Sequence, residues 1–460
     1  MIDTIAQSIM QGEFEAAEAL AMEALATEPD SVPYQVKLAS CLSKQLRFGE
    51  AADQWLRVLD RPDLDIHNRI AASHGLAICA AQSGQPSLLL PYTSAFDLRS
   101  SPHPSDRCWY SRILSAAGYD EEAEAAARQL LKDDPGDPFI RQCFGSIRLQ
   151  LGDTAGYRDF LEFSTRRFFR SYYGHTGLID RMWEGEDLAG QSIAIVPHGG
   201  FGDYFQFVRH VPTLKAMGAR TVTIAGTPRA HHLLASSGVD EVVSDYEIEV
   251  AKERSDRWVG SYGLAWAAER PDAVEDRGGY LRAPPSETAA VIAAAMRARA
   301  AGRPCIGLYW HSDMHLGEAK SVPLAALAPL FTRADIHLLI LQRGFGLRRM
   351  VEAGLGGDAT VVGEELSFDE TGALIAALDG VATICAWPFH LSGALGVRTW
   401  LLASRVMDGR HLNRERTSVL YPNNAKLVRQ PAFGDWPGAV ARLMSELDAL
   451  APPPQAASVA

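Results

Sequence analysis

A 34-residue spacing commits the first third of the chain to stacked helical hairpins. Gly12-Glu13-Phe14-Glu15-Ala16-Ala17 is followed by Ala21, Ala24 and Pro29. Phe48 stands 34 residues after Phe14, with Ala51, Trp55 and Val58 at the matching offsets. Gly118-Tyr119, Ala123, Ala127 and Pro135 make a further unit, and the interval between leaves room for one diverged unit around 66–98. One such unit cannot bury its apolar face alone. Stacking solves this: small residues admit close helix contacts and the aromatic fills the gap between hairpins. The stretch is rich in Ala, Leu, Glu and Gln, with apolar residues at helical period and almost no β-branched runs.

The small-aromatic-small pattern and the closing proline of this unit resemble the tetratricopeptide repeat. The resemblance implies a groove for an extended peptide. The plainer alternative is a solenoid that only caps or supports the rest. Between residues 166 and 182, Arg166, Arg167 and Arg170 interleave with Phe168, Phe169, Tyr172 and Tyr173. Such interleaving can serve nucleic acid. An amphipathic helix burying its rings against the next domain is the favoured reading.

After about residue 190 the pattern changes to alternating strands and helices. Ile193–Val196, Thr221–Ile224 and Glu241–Val243 read as strands. A Pro-bearing break at Leu281-Arg282-Ala283-Pro284-Pro285 and an Ala-rich helix over 288–301 follow. Alternation restarts at Cys305–Tyr309 and continues through Ile336–Leu341, Thr360–Val362, Val381–Ile384 and Arg398–Leu402. Near-continuous apolar strands joined by helices predict parallel sheets covered on both faces. Two runs split near 284–302 predict two Rossmann-like lobes with a cleft between them. The expected boundaries are 1–165 for the repeats, 166–189 for a junction, 190–287 and 288–448 for the lobes, and a disordered tail over 449–460.

Charge narrows the function. With 44 Lys+Arg against 56 Asp+Glu, the net charge of -12 argues against sequence-independent nucleic-acid binding. The six cysteines at 41, 79, 108, 143, 305 and 385 form no C-x-x-C pair, so neither a zinc pattern nor a disulfide framework is legible. No stretch approaches 18 uninterrupted apolar residues, and the start Met1-Ile2-Asp3-Thr4 lacks a signal-peptide pattern. The expected location is the cytoplasm.

In open parallel sheets, ligands bind beyond the carboxyl ends of the strands. Three loops stand out there. Gly199-Gly200-Phe201-Gly202-Asp203 offers close backbone approach and a helix N-terminus to an anion. Asp203 there is either a helix cap or a catalytic carboxylate. Tyr309-Trp310-His311-Ser312, running on to Lys320-Ser321-Val322-Pro323, places one lysine that could pair with a phosphate, though a solvated lysine is commoner. Cys385-Ala386-Trp387-Pro388-Phe389-His390-Leu391-Ser392-Gly393 starts a helix, with His390 either facing a diphosphate or buried against backbone. Cys385 reads as a small buried apolar residue rather than a nucleophile. Arg405, Arg410, Arg414 and Arg416, with His411, cluster in one late loop as an anion pocket or a solvated, acid-paired loop.

Taken together, Trp183-Glu184-Gly185, Leu188-Ala189-Gly190, Gly200-Phe201-Gly202-Asp203, Tyr280-Leu281-Arg282-Ala283-Pro284, Ile306–Trp310, Lys320–Leu324, His390–Gly396 and Gly434-Asp435-Trp436 carry a resemblance. From about 183 to 445 the chain is similar to heptosyltransferase-related glycosyltransferases of the GT-B fold that carry tetratricopeptide repeats. The resemblance implies a nucleotide-sugar donor held mainly by the C-terminal lobe, no separate cofactor and no metal. It implies that Asp203 is the general base toward an acceptor hydroxyl. Donor contacts would fall on Gly200, Gly202, Trp310, Lys320, Ser321, His390, Leu391 and Gly393, with His390 beside the diphosphate. One departure is plain. Relatives commonly read Asp-Thr where this chain has Cys385-Ala386, which removes two polar contacts to the donor.

The expectation is a multidomain protein: an all-α tetratricopeptide-type solenoid followed by an α/β GT-B fold. It would be a glycosyltransferase-like protein whose repeats recruit a polypeptide acceptor, as in relatives that modify bacterial surface proteins such as flagellin. The alternative is a catalytically inactive repeat-containing scaffold. A Rossmann oxidoreductase lacks both the dinucleotide fingerprint and the ribose carboxylate.

Overall fold

The computed structural model describes residues 1–89, 104–153, 155–156, 159–160, 169, 177–245, 248–267, 279–314, 317–363, 365–405, 409–411 and 418–450. Within 1–150 the described residues form the helices Ile2–Met10, Phe14–Thr27, Val32–Lys44, Phe48–Leu59, Ile66–Gln82, Pro104–Ala116, Asp120–Asp133 and Pro138–Gln150. The repeat is written into the turns. Left-handed backbone recurs at Gly12, Leu46, Gly84, Gly118 and Gly152, in steps of 34, 38, 34 and 34 residues. Each closes a helix C-terminus, where glycine carries no Cβ penalty. Leu46, at φ 62°, holds the same conformation with a side chain. The 38-residue step runs from Leu46 to Gly84, and residues 90–98 of the diverged unit expected around 66–98 lie outside the described residues.

The small residues do what the spacing requires. Phe14, Ala17 and Ala21 are fully buried, as are Ala51, Val58 and Ala123. At Gly75 a Cβ would lie 2.4 Å from the Trp55 ring, so these two helices approach to a distance that only glycine allows.

The α/β region forms two wholly parallel sheets. The first joins β1 (Ser192–Val196), β2 (Thr221–Gly226), β3 (Glu241–Ser244) and β4 (Arg257–Gly260) in the order β3-β2-β1-β4. The second joins β5 (Cys305–Tyr309), β6 (His337–Ile340), β7 (Thr360–Val361), β8 (Gly380–Thr383), β9 (Thr399–Ala403) and β10 (Ala425–Arg429) in the order β10-β9-β8-β5-β6-β7. The solenoid-plus-two-lobe architecture thus holds. Two strands escaped the sequence reading. β4 is four residues long, opened by Arg257 and closed by Gly260. β10 lies at a sheet edge and mixes Lys426 and Arg429 with apolar residues, so it lacks the continuous run of a central strand.

The lobes are closed on each other. Asp369 of the second lobe accepts from the backbone N–H groups of His232 and Leu233 at 3.0 and 2.9 Å, capping a helix of the first. Phe368 packs on Phe201 and Trp387, with ring centroids 4.6 and 5.3 Å apart. Arg209 reaches across to donate to Leu420 O at 2.7 Å and lies over the rings of Tyr280 and Tyr421.

The repeats also dock on the second lobe. Lys44 pairs with Glu318 at 2.7 Å, Gln82 Nε2 donates to Ala319 O at 2.7 Å, and Phe14 meets Phe345 edge-on at 4.9 Å. Of the interleaved junction, Phe169 is buried edge-on against Trp258 at 4.9 Å, as the amphipathic reading expects. Its neighbours over 161–168 and 170–176, and residues 451–460 of the expected disordered tail, lie outside the described residues. Among the described residues no helix is long and apolar enough to cross a membrane.

Candidate functional site

Strand order places the site. In the first sheet the order reverses between β1 and β4, and in the second between β5 and β8. Loops that leave the carboxyl ends of strands at such a reversal diverge to opposite faces and open a crevice. The loops after β1, β5 and β8 open onto one cavity of about 870 Å³. It is lined by Gly199 to Phe205, by Tyr309, Ser312 and Lys320, and by Cys385, Ala386, Trp387 and His390. Repeat helices supply another wall through His74, Gln82, Arg112, Ser115, Ser146 and Gln150. The volume suits a ligand of nucleotide-sugar size.

Asp203 is both the cap and more than the cap. Its Oδ2 accepts from Gly200 N–H at 2.7 Å, closing the first turn of the helix Phe201–Phe207. Its Oδ1 accepts from Arg410 at 2.7 Å, and the same guanidinium nitrogen donates to Gln206 Oε1 at 3.1 Å. The pair is nearly dry, with side-chain exposures of 8% for Arg410 and 12% for Asp203. Arg410 also lies over the Tyr262 ring at 5.6 Å.

Gly202 is needed for close approach rather than for an unusual backbone. A Cβ there would stand 2.7 Å from His390 Cδ2 and 3.4 Å from Trp387 Cα. The Gly-rich loop of one lobe therefore lies directly on the helix Trp387–Ala394 of the other. His390 is 3% exposed, and its Nδ1 bonds Tyr421 Oη at 3.1 Å. Burial pushes the Tyr421 phenol well above its ordinary value, so it stays protonated. Lys320 is half-buried on the cavity wall and makes no ion pair among the described residues.

Of the nine residues expected at the site, the fold brings Gly200, Gly202, Asp203, Lys320 and His390 to the cavity. The other four turn elsewhere. Trp310 is 1% exposed and packs edge-on against Phe331 in the core of the second lobe. Ser321 is fully buried, where its hydroxyl donates to Gly317 O and accepts from Ser312 N–H to shape its own loop. Leu391 lies in the core, and Gly393 lets the Tyr421 ring approach, a Cβ there meeting it at 2.5 Å. The helix and loop periodicities dictate this: His390 faces the cavity, so the residue after it faces away.

Arg410 was one member of the basic loop in the sequence. The fold takes it into the site and leaves Arg405 outside, over Phe433 at 5.3 Å. Arg414 and Arg416 lie outside the described residues. Sequence reading also gives no hint that Cys385 Sγ lies 3.2 Å from His411 Nε2, since 26 residues separate them.

His198 sits just before the glycine loop, 6% exposed. Burial pulls its pKa down to about 4, and nearby Asp203 partly opposes this. Unfolded, the ring titrates near 6.5. Between those values the unfolded chain binds the extra proton, so stability must fall as pH drops from about 6.5 toward about 4. Urea midpoints measured across that window should show the loss, and His198→Gln should shallow it.

No protein-family model matches the chain, and no curated protein matches it. Among solved structures it is similar to the glycosyl transferase family 9 of Veillonella parvula DSM 2008, at 11% identity over 58% of this chain and 99% of that one, TM-score 0.44. It is also similar to the ADP-heptose lps heptosyltransferase II of E. coli, at 16% identity over 56% and 98%, TM-score 0.41. A mutant Thermobaculum terrenum O-GlcNAc transferase matches at 14% identity over 94% and 92%, TM-score 0.31.

Proposed function

We propose that the chain is a glycosyltransferase that moves a sugar from a nucleotide-sugar donor to a hydroxyl of a polypeptide held by the repeats. The observation that carries this is the convergence of both lobes' strand-order reversals on one cavity, with Lys320 uncommitted on its wall. In this reading the acceptor oxygen attacks the anomeric carbon as the bond from that carbon to the diphosphate breaks. The hydroxyl proton passes to Asp203, and Lys320 meets the charge growing on the leaving diphosphate. A polypeptide acceptor is supported by the repeat helices, which form part of the same wall.

A second reading has its own observation. Both oxygens of Asp203 are engaged, one by Gly200 N–H and one by Arg410, as in a purely structural carboxylate. That favours a catalytically silent scaffold. Calorimetry with ADP, UDP, GDP and CMP and their sugar conjugates separates the two. The transferase reading expects one nucleotide to bind, with Lys320→Ala weakening it roughly 10- to 100-fold, the worth of one charge-assisted hydrogen bond. A folded chain that binds no member of the panel shifts the conclusion to the scaffold.

A further inference from the structure

Three side chains the chemistry above does not need together converge at the cavity wall. Cys385 lies just past the end of β8, His390 in the helix Trp387–Ala394, and His411 in the short turn Gly409–His411. One ligand atom from each lies within 4.8 Å of the other two, and Cys385 Sγ is 3.2 Å from His411 Nε2. All three are buried, at 8%, 3% and 0% exposure. We propose that Cys385, His390 and His411 bind a single thiophilic transition-metal ion, zinc foremost.

Donor chemistry selects the ion. One thiolate and two imidazoles suit zinc and its neighbours, whereas magnesium and calcium demand oxygen ligands. Ligand atoms around tetrahedral zinc lie about 3.5 Å apart, so closing this set takes side-chain shifts of about an ångström. The rings are already held. Phe389, fully buried, packs edge-on against His390 and His411 at 5.2 Å each. Tyr421 fixes the His390 ring through Nδ1. Such outer contacts are what orient a ligating imidazole. Cys385 and His390 both line the cavity, so a fourth coordination position would face it. Of the neighbouring cations, Arg410 is neutralised by Asp203, and Arg429 donates to His411 O at 3.4 Å. Binding releases the thiol proton to solvent and involves no redox change.

The site does not depend on the donor reading, and its test uses no nucleotide. Untagged full-length protein is analysed for metal by mass spectrometry, then stripped with chelator and titrated with cobalt(II). About one equivalent of zinc per chain is expected, with a near-ultraviolet thiolate-to-cobalt charge-transfer band on titration. Cys385→Ser should abolish that band, and His411→Gln should weaken metal binding by about 100-fold or more. Circular dichroism checks that both variants fold. If neither does, the wild type decides alone: metal must protect Cys385 from alkylation, read peptide by peptide. Substoichiometric uptake by folded wild type, a band that survives in Cys385→Ser, or unprotected Cys385 overturns the proposal.

Discussion

Arg410→Met should destabilise the protein by about 3–5 kcal/mol, the cost of leaving one partner of a buried ion pair uncompensated. The guanidinium sits 2.7 Å from Asp203 Oδ1, and neither group has enough exposure for water to take over. Asp203→Asn should cost a similar amount, because it strands the buried Arg410 guanidinium and one amide oxygen cannot serve both Gly200 N–H and Arg410. The combined variant should recover most of the loss, since it buries no unpaired charge. Urea unfolding of the two single variants and the double gives the coupling energy directly. Additive effects below about 1 kcal/mol each would mean that the pair is solvated and behaves like a surface bridge.

Trp436→Ala is expected to cost about 3–5 kcal/mol as a large buried ring is deleted from the second lobe's core. The ring is 1% exposed, and its Nε1–H donates to Gln82 Oε1 at 3.1 Å. Gln82 belongs to the repeat helix Ile66–Gln82 and also holds Ala319 O through its Nε2. The change therefore strikes the core and the seam between repeats and lobe together. Trp436→Phe separates them. It keeps most of the volume and leaves Gln82 Oε1 unpaired, a loss of about 1–3 kcal/mol. Differential scanning calorimetry reads both. One cooperative transition in the wild type, splitting in Trp436→Phe into a repeat and a lobe transition, would show that the seam couples them. An unchanged single transition would mean that the other contacts, such as Lys44 with Glu318, suffice.

Much of the site was legible before folding because glycine loops after apolar strands have one common use. Gly200, Gly202 and Asp203 follow β1 within a few residues, and His390 follows β8 the same way. Their neighbours along the chain do not all follow them into the cavity. Leu391 follows His390 directly but lies on another face of its helix, Gly393 one turn on is covered by the Tyr421 ring, and Trp310 lies in the core of the second lobe. Nearness along a chain says little about which face a side chain takes until the packing partner is known.

The sequence by itself determined the repeat, the alternation of strand and helix, and the carboxyl-end loops. These depend on local periodicity and on the conformational limits of single residues, as the left-handed turns at Gly12, Gly84, Gly118 and Gly152 record. Tertiary structure alone decided the partners. Asp203 meets Arg410 across 207 residues of sequence, Gln82 meets Trp436 across 354, and Cys385 meets His411 from separate elements. The physical reason is that a buried charge or polar atom takes whatever complementary group the closed lobes bring within about 3 Å. That choice is settled by how three layers dock, and no local pattern encodes it.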